Sequence, residues 1–360
     1  NCIIDWKDIG KKGLITALFN KKATMTLEQF LSEWHSKDPT LLVHTSCSTG
    51  LPKPLRVEKT RMLNSAHITC NFLNLHPNDT ALLCMPLDYI AGKMVVVRSI
   101  ERKLQLLNVK PSGHPLSDAS LAQLSNPDTP ITFAAMVPLQ VFNTLQNSKE
   151  CERLKRIRHL IIGGGSIDDN LSAQLKNFPN AVWSTYGMTE TLSHIALRRL
   201  NGNERSDWYT PVDSVKVSLN SNGCLIIDAP AVCAQRLETN DIAELRLSDD
   251  GKRTEFRILG RKDNTINTGG IKVQMEEVEK ALHTYIVTPF LITKRKNKKF
   301  GEEIVLLTEA DNLEEIRKIC MKVLPRYWQP AHYQHINRLP ITETGKIARA
   351  KALQMVDTNL

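Results

Sequence analysis

The chain of 360 residues is 41% hydrophobic and 24% charged, which is typical of a globular protein with two or three domains and excludes a fibrous or disordered chain. Its eight cysteines lack C-x-x-C spacing and no apolar run has the roughly 18 residues of a membrane span, so we expect reduced thiols in a cytoplasmic protein without a zinc site, a signal peptide or membrane insertion. The net charge of +9 suits an acidic ligand such as a nucleotide or coenzyme A, whereas scattered lysines and arginines do not favour a dedicated nucleic-acid face.

The first pattern along the chain is an amphipathic helix from Thr26 to Trp34, with Thr26 as its N-cap. A short apolar run at 41–43 then predicts a buried strand, and the sequence T-S-C-S-T-G-L-P-K follows at 45–53. Helical periodicity over 57–75 completes a strand, loop and helix. Such a loop can bind phosphate through backbone N–H groups, hydroxyls and Lys53, although an ordinary polar turn has the same composition and the Walker A pattern is absent.

Strands and helices alternate beyond this loop. The pattern predicts strands at 81–85, 104–109, 131–135 and 159–162, and helices at 91–98, 116–124 and 139–145. Such alternation indicates a parallel sheet with helices on both faces. Beyond about residue 195, strands at 215–219 and 224–227 flank Asn222-Gly223 and predict a smaller antiparallel β unit. The basic run at 294–299 predicts a solvated hairpin loop.

Two polar motifs follow predicted strands. Gly163-Gly164-Gly165-Ser166 comes after the strand at 159–162, and the run 184–191, S-T-Y-G-M-T-E-T, comes after an apolar strand at 181–183. Ligands bind at the carboxyl ends of parallel strands, where glycines let a flat base approach the backbone. Tyr186 can stack on a purine, a threonine can hold a phosphate oxygen, and Glu190 can hold Mg²⁺. A glycine-rich turn and a simple helix cap are the alternative interpretations.

Six motifs occur in an order that resembles the acyl-adenylate-forming superfamily, which contains acyl-CoA synthetases, luciferases and the adenylation domains of peptide synthetases. They are T-S-C-S-T-G-L-P-K at 45–53, Y-G-M-T-E-T at 186–191, L-E-T-N-D-I-A-E-L at 237–245, I-L-G-R-K-D-N at 258–264, T-G-G-I-K-V at 268–273 and T-G-K-I-A-R at 344–349. The resemblance covers about residues 40–360. Within the superfamily, P-L-D-Y-I-A-G-K-M at 86–94 and T-E-T-L-S-H-I-A-L-R-R-L-N-G at 189–202 are most similar to a shortened branch of the o-succinylbenzoate:CoA ligases of menaquinone synthesis.

The resemblance implies a mixed α/β fold, with an AMP-binding α/β-sheet domain and an appended β unit over 1–262 and a small mobile α+β lid domain over 263–360. It also implies ATP-dependent ligation of a small carboxylic acid to coenzyme A through an acyl-adenylate, with Mg²⁺ as cofactor and o-succinylbenzoate as the acid. Three alternatives remain open. They are a ligase for another small aromatic or aliphatic acid, an adenylation domain that loads a carrier protein, and a nucleotide-binding protein without catalysis.

The resemblance also implies roles for individual residues. The β- and γ-phosphates of ATP would be held by Thr45, Ser46, Ser48, Thr49, Gly50 and Lys53. The rest of the nucleotide site would comprise Gly164, Gly165, Ser166, Thr185, Tyr186, Gly187, Asp241 and Arg261, with Asp241 accepting hydrogen bonds from both ribose hydroxyls. Thr189 would contact the α-phosphate, Glu190 would hold Mg²⁺, and Lys346 would bridge the acid carboxylate and the α-phosphate. Asp263 would be the hinge of the lid, and Gly269 and Gly270 would line the coenzyme A arm.

The sequence departs from the family pattern at three places. Only 44 residues precede Thr45, fewer than is usual, so we expect either that the sheet tolerates the loss or that a homodimer covers the exposed face. Cys47 stands where glycine is usual, and Tyr89 stands where relatives commonly have histidine. The second carboxylate of o-succinylbenzoate would need a buried partner. The candidates for this acyl pocket are Tyr89, Lys93, Ser193 and His194, although a solvated Lys93 and a core His194 are alternative interpretations.

Overall fold

The computed structural model describes residues 3–4, 25–44, 54–123, 130–165, 167–341 and 347–356. These ranges form a mixed α/β fold, which confirms the predicted fold class. Their helices are α1 Leu27–His35, α2 Lys59–Phe72, α3 Ile90–Arg102, α4 Pro138–Leu145, α5 Ser148–Lys155, α6 Asp169–Leu175, α7 Met275–Leu282, α8 Leu313–Val323 and α9 Arg349–Met355. Their strands are β1 Ile3–Ile4, β2 Thr40–His44, β3 Pro54–Glu58, β4 Thr80–Leu83, β5 Gln105–Asn108, β6 Phe133–Met136, β7 His159–Ile162, β8 Ala181–Gly187, β9 His194–Arg199, β10 Thr210–Pro211, β11 Lys216–Leu219, β12 Cys224–Asp228, β13 Leu237–Leu247, β14 Thr254–Arg261, β15 Thr265–Thr268, β16 Ile271–Gln274, β17 Phe290–Asn297, β18 Gly301–Thr308 and β19 His332–His335.

The largest sheet has the strand order β1-β5-β4-β6-β7-β8-β9-β10. Its central strands β5, β4, β6, β7 and β8 pair in parallel, while β1, β9 and β10 pair antiparallel at the edges. Every residue of β4 and β6 is buried, as is typical of strands that are covered on both faces. The carboxyl ends of β7 and β8 therefore lie side by side, where the two polar motifs begin.

Local signals predicted several boundaries correctly. Thr26 caps α1, because its hydroxyl accepts a hydrogen bond from the Gln29 N–H at 3.2 Å while the Gln29 side chain accepts one from the Thr26 N–H at 2.8 Å. The prediction of a helix at 116–124 was wrong, because two 3-10 turns occupy 115–117 and 119–123. The Asp118 carboxylate accepts a hydrogen bond from the Ser120 N–H at 2.9 Å and so diverts a donor that a helix would use.

The segment around the hydroxyl-rich loop differs from the predicted strand, loop and helix. Strand β2 pairs antiparallel with β3, with Thr40 opposite Glu58 and His44 opposite Pro54, in a two-stranded sheet of their own. Val57 belongs to β3, and α2 begins two residues later, at Lys59. The loop at 45–53 lies outside the described residues. The predicted order of strand, loop and helix was wrong, because strand β3 comes between residue 53 and α2 and pairs with β2.

Two smaller sheets follow. Strands β11 to β14 form an antiparallel sheet that confirms the predicted β unit, with Gly223 at φ 73° in its first hairpin. Strands β15 to β19 form a five-stranded sheet with α7, α8 and α9, and its buried apolar clusters involve residues 266–356 and are separate from the cluster at 27–256. The basic run at 294–299 was predicted to be a loop, but β17 continues to Asn297, because Lys294 and Arg295 pair with glutamates of β18.

The six cysteines in the described ranges are free thiols. None of the helices described is both long and apolar enough to cross a membrane.

Candidate active site

A glycine turn follows β7 at the carboxyl edge of the main sheet. A Cβ on Gly163 would lie 2.4 Å from the Thr185 hydroxyl oxygen, so only glycine lets the end of β8 come this close. Gly164 has φ 81°, and Asp168 caps α6 by accepting a hydrogen bond from the Leu171 N–H at 2.7 Å. The turn therefore lies directly against Thr185 at the end of β8. Gly165 lies in the same turn, beside the Pro138 ring, whereas Ser166 lies outside the described residues.

Tyr186, near the end of β8, connects the main sheet to the β11–β14 sheet. Its hydroxyl donates a hydrogen bond to Asp241 Oδ2 at 2.5 Å, and its ring packs edge-on against Phe256 with 5.1 Å between the centroids. Burial and the neighbouring Asp241 carboxylate raise the pKa of Tyr186, so the phenol remains a neutral donor. Asp241 and Tyr186 are 55 residues apart in sequence, and the structure brings these two predicted site residues into contact.

Asp241 has a second partner on the neighbouring strand. Arg261 faces Asp241 across β13 and β14, and its Nη1 donates to Asp241 Oδ1 at 3.1 Å. Its Nη2 donates to Asp263 Oδ2 at 2.8 Å. Burial lowers the pKa of Arg261, but the two carboxylates outweigh burial and raise it. Three predicted residues, Asp241, Arg261 and Asp263, therefore form one charged cluster with Tyr186.

The Thr189–Glu190 turn follows directly. A Cβ on Gly187 would lie 2.2 Å from the Ser193 carbonyl oxygen, so the turn packs onto the start of β9. Thr189 is buried, while Glu190 is exposed and has no ion-pair partner among the described residues. Leu192, also buried, has φ 66°, a strained conformation of the kind that occurs at functional turns.

Glu190 can accept Mg²⁺. The described residues contain no group of three or more metal-ligating side chains. Mg²⁺ bound with a nucleotide needs only one or two protein carboxylates, since phosphate oxygens and water supply the remaining ligands. An exposed carboxylate outside any described ion pair fits this requirement.

Sequence reasoning missed a buried cation. Arg98, on α3, is 1% exposed, and it has no carboxylate partner in the ranges described. Its Nη2 donates to the Ser193 hydroxyl at 2.6 Å, its guanidinium lies 5.9 Å from the centroid of the Phe133 ring, and its Nε has no hydrogen-bond partner. Burial lowers the pKa of Arg98 to about 10. The signal in the sequence was a lone arginine after the apolar run M-V-V-V at 94–97.

A one-way chain of hydrogen bonds starts at Arg98. The direction is fixed at the far end, where the Thr69 hydroxyl donates to the Ser65 carbonyl at 3.0 Å. Because its proton is used there, the Thr69 oxygen accepts a hydrogen bond from His194 Nε2 at 3.1 Å. His194 Nδ1 then accepts from the Ser193 hydroxyl at 3.4 Å, and Ser193 in turn accepts from Arg98. This network assigns the Nε2–H tautomer to a neutral His194. Burial and the Arg98 charge hold the pKa of His194 well below its ordinary value.

The other predicted residues of the acyl pocket lie on α3. Tyr89 precedes the helix as its N-cap residue. Lys93 is buried against α1, with Nζ 3.1 Å from the Met25 sulfur and 5.2 Å from the centroid of the Phe30 ring, and burial lowers its pKa. Lys93 therefore contacts α1 and the residue before its cap, whereas Ser193 contacts Arg98 and His194 contacts α2.

The remaining predicted residues are not brought to this cluster by any described contact. Gly269 and Gly270 have φ 58° and 86° in the turn between β15 and β16, where the Gly269 N–H donates to the Phe300 carbonyl at 2.8 Å. The phosphate-binding candidates and the bridging lysine lie outside the described residues, and they are Thr45, Ser46, Ser48, Thr49, Gly50, Lys53 and Lys346. Cys47 lies outside them as well.

Comparisons with known proteins show what this chain is similar to. A family model described as AMP-binding enzyme matches residues 4–234. The 2-succinylbenzoate–CoA ligase of Haemophilus influenzae is 26% identical over 318 residues, which are 82% of this chain and 66% of that protein. An acyl-CoA synthetase (AMP-forming)/AMP-acid ligase II-like protein from Dyadobacter fermentans is 30% identical, with a TM-score of 0.59 over 92% of this chain and 93% of that chain. The o-succinylbenzoate CoA synthetase of Bacillus subtilis is 21% identical to this chain. Its structure with the acyl-adenylate intermediate has a TM-score of 0.69, and its structure with ATP and magnesium ion has a TM-score of 0.68. Both similarities cover 86% of this chain and 68% of that chain.

Proposed function

Because the chain belongs to the AMP-binding enzyme family, we propose that it is an ATP-dependent ligase that joins a small carboxylic acid to coenzyme A. The acid carboxylate attacks the ATP α-phosphate to form an acyl-adenylate and pyrophosphate, and the coenzyme A thiol then displaces AMP. The cluster of Tyr186, Asp241 and Arg261 supports the nucleotide half of this proposal, since it places a carboxylate acceptor beside an aromatic ring.

We further propose that the acid is o-succinylbenzoate, which places the enzyme in menaquinone biosynthesis. The observation that carries this choice is Arg98, a buried cation with no carboxylate partner in the ranges described. A buried unpaired charge is costly, and the second carboxylate of a dicarboxylic acid would compensate it. Ser193, which Arg98 contacts, lies four residues after Thr189, so this cation on α3 contacts the segment that directly follows the proposed α-phosphate contact.

The first step brings two anions together, and positive groups must offset their repulsion. In our proposal Lys346 bridges the acid carboxylate and the α-phosphate, Thr189 donates to the α-phosphate, and the 45–53 loop holds the outer phosphates. Asp241 fixes the ribose by accepting hydrogen bonds from its two hydroxyls. Glu190 would hold a magnesium ion, which would offset phosphate charge when bound.

The second step requires a different protein surface. We propose that residues 263–360 act as a lid that turns about Asp263, so that the turn with Gly269 and Gly270 replaces the lysine loop beside the nucleotide. The positive φ of both glycines supports this role, because a side chain at either position would be strained. A narrow pantetheine arm could then run along the backbone of this turn.

The test is ATP–pyrophosphate exchange with o-succinylbenzoate, measured for the wild type, Lys346→Ala and the matched control Lys351→Ala. Lys351 is an exposed lysine on α9, five residues away, and we expect its variant to match the wild type. Lys346→Ala should lose exchange yet still form thioester from supplied acyl-adenylate. Unchanged exchange in Lys346→Ala would refute the role of this lysine, and exchange without thioester from free coenzyme A would instead indicate loading of a carrier protein.

A further inference from the structure

One guanidinium serves two carboxylates that have different roles in the proposed reaction. Arg261 donates through Nη1 to Asp241, the proposed ribose acceptor, and through Nη2 to Asp263, the proposed hinge. Its Nε has no hydrogen-bond partner, so its described side-chain hydrogen bonds are these two. Two negative charges thus share one positive charge, so a change at one carboxylate must alter the hydrogen bond between Arg261 and the other carboxylate.

Asp241 has little spare room for a ligand. Its side chain is 12% exposed, and its Oδ2 already accepts the Tyr186 hydroxyl at 2.5 Å. The other oxygen, Oδ1, accepts from Arg261 at the longer distance of 3.1 Å. A ribose diol brings two further donors to this carboxylate. Since the Tyr186 hydrogen bond is the shorter and more buried one, the ribose competes with Arg261 for Oδ1.

Asp263 lies at the other end of this connection. It belongs to the 3-10 turn at 262–264 that joins β14 to β15, and its Oδ2 also accepts from Asn240 at 3.3 Å. The Arg261 carbonyl accepts from Gln274 Nε2 at 3.1 Å, and Gln274 belongs to the C-terminal five-stranded sheet. Arg261 is therefore bonded to residues on both sides of the turn.

We propose that Arg261 is a positioning residue that transmits the filling of the ribose site to the hinge turn. Ribose hydroxyls on Asp241 displace Nη1, the guanidinium turns toward the nucleotide, and Asp263 loses its charged partner. The turn at 262–264 can then change its backbone angles. This inference rests on the proposed function, because it takes Asp241 as the ribose acceptor and Asp263 as the hinge.

Hydrogen exchange of the backbone amides of β15 and β16 tests this connection. We expect saturating AMP to speed exchange there by about tenfold in the wild type, which is the effect of losing one hydrogen bond to a charged group. The analogue 2′,3′-dideoxy-AMP lacks the hydroxyls and should leave exchange unchanged. In Arg261→Gln and Arg261→Lys, AMP at saturation should also leave exchange unchanged, because neither side chain can hold both carboxylates.

Arg257→Gln is the matched control. Arg257 lies on the same strand and pairs across it with Glu244 at 2.6 Å, outside the cluster, so its variant should respond to AMP as the wild type does. The inference is overturned if Arg261→Gln responds to AMP like the wild type, or if dideoxy-AMP acts like AMP. Failure of the wild type to bind AMP at all would overturn the proposed function, and this inference with it.

Discussion

Replacing Arg98 with methionine should remove activity toward o-succinylbenzoate without weakening the fold. The pKa of Arg98 falls from 12.5 to about 10 on burial, which corresponds to about 3 kcal/mol against the charged form. Because this is a cation whose pKa is lower in the folded state, the cost is present in full below about pH 10 and decreases as the pH rises further. Methionine removes the charge, keeps much of the volume and leaves Ser193 bonded to His194.

We therefore expect Arg98→Met to be as stable as the wild type at pH 7, or more stable by up to about 2 kcal/mol, since apolar residues can replace buried charges without loss. The melting temperature would then rise by up to roughly 4 °C. Exchange with o-succinylbenzoate should fall by about 100-fold or more, because a buried carboxylate would lose its cation. Exchange with 4-oxo-4-phenylbutanoate, the same acid without its ring carboxylate, should not fall.

Calorimetry and pyrophosphate exchange on the same preparations make this test. Arg98→Lys is the companion variant, which retains the positive charge but loses the planar guanidinium. It should still carry the free-energy cost of a buried charge and should keep only part of the exchange activity. A loss of more than about 1 kcal/mol in Arg98→Met would show that packing around Arg98 outweighs its desolvation. Equal losses of exchange with both acids would show that Arg98 does not bind the second carboxylate.

Three further predictions concern other residues of the described structure. Asn201→Asp removes two hydrogen bonds that the Asn201 amide donates to the Phe178 and Asn180 carbonyls, at 2.8 and 2.7 Å. We expect the free energy of unfolding in urea to fall by about 3 kcal/mol at pH 7.5. The loss should be smaller at pH 5, because a protonated acid regains one donor. Gly187→Ala sets a methyl group against the Ser193 carbonyl and should lower both the melting temperature and pyrophosphate exchange; a fully active, stable variant would contradict the packing of this turn. Burial raises the pKa of Glu276. The stability that its protonated form contributes is therefore present below about pH 4.5 and is lost as the pH rises through the folded-state pKa. We expect Glu276→Gln to be more stable than the wild type at pH 8 but not at pH 4, which urea unfolding at the two pH values would show.

Local signals in the sequence predicted elements whose boundaries are set locally. Thr26 and Asp168 cap helices through their own side chains, and Gly223 supplies the positive φ of its hairpin. Strand β3 was missed because its five residues lead directly into α2, so one apolar pattern covered both. Such short strands depend on a partner strand rather than on their own periodicity.

The site shows the same division. The sequence alone identifies motifs whose residues lie within one turn, such as Thr189–Glu190. The contact between Tyr186 and Asp241 joins different sheets, and only the resemblance suggested that the two residues act together. Arg98 was missed because its burial results from packing between α2, α3 and the main sheet, which no single segment encodes.

The hydrogen-bond chain from Arg98 to Ser65 affects the fidelity of a ligase of the proposed kind. Arg98 is buried and donates to the first member of this chain, so an acid with an uncharged tail would leave the guanidinium buried without a carboxylate. Sites built around a buried polar partner reject analogues that lack it far more strongly than apolar pockets reject a smaller homologue. Misactivated monocarboxylic acids would then be rare at the first step, and the enzyme would need no separate proofreading reaction to remove them.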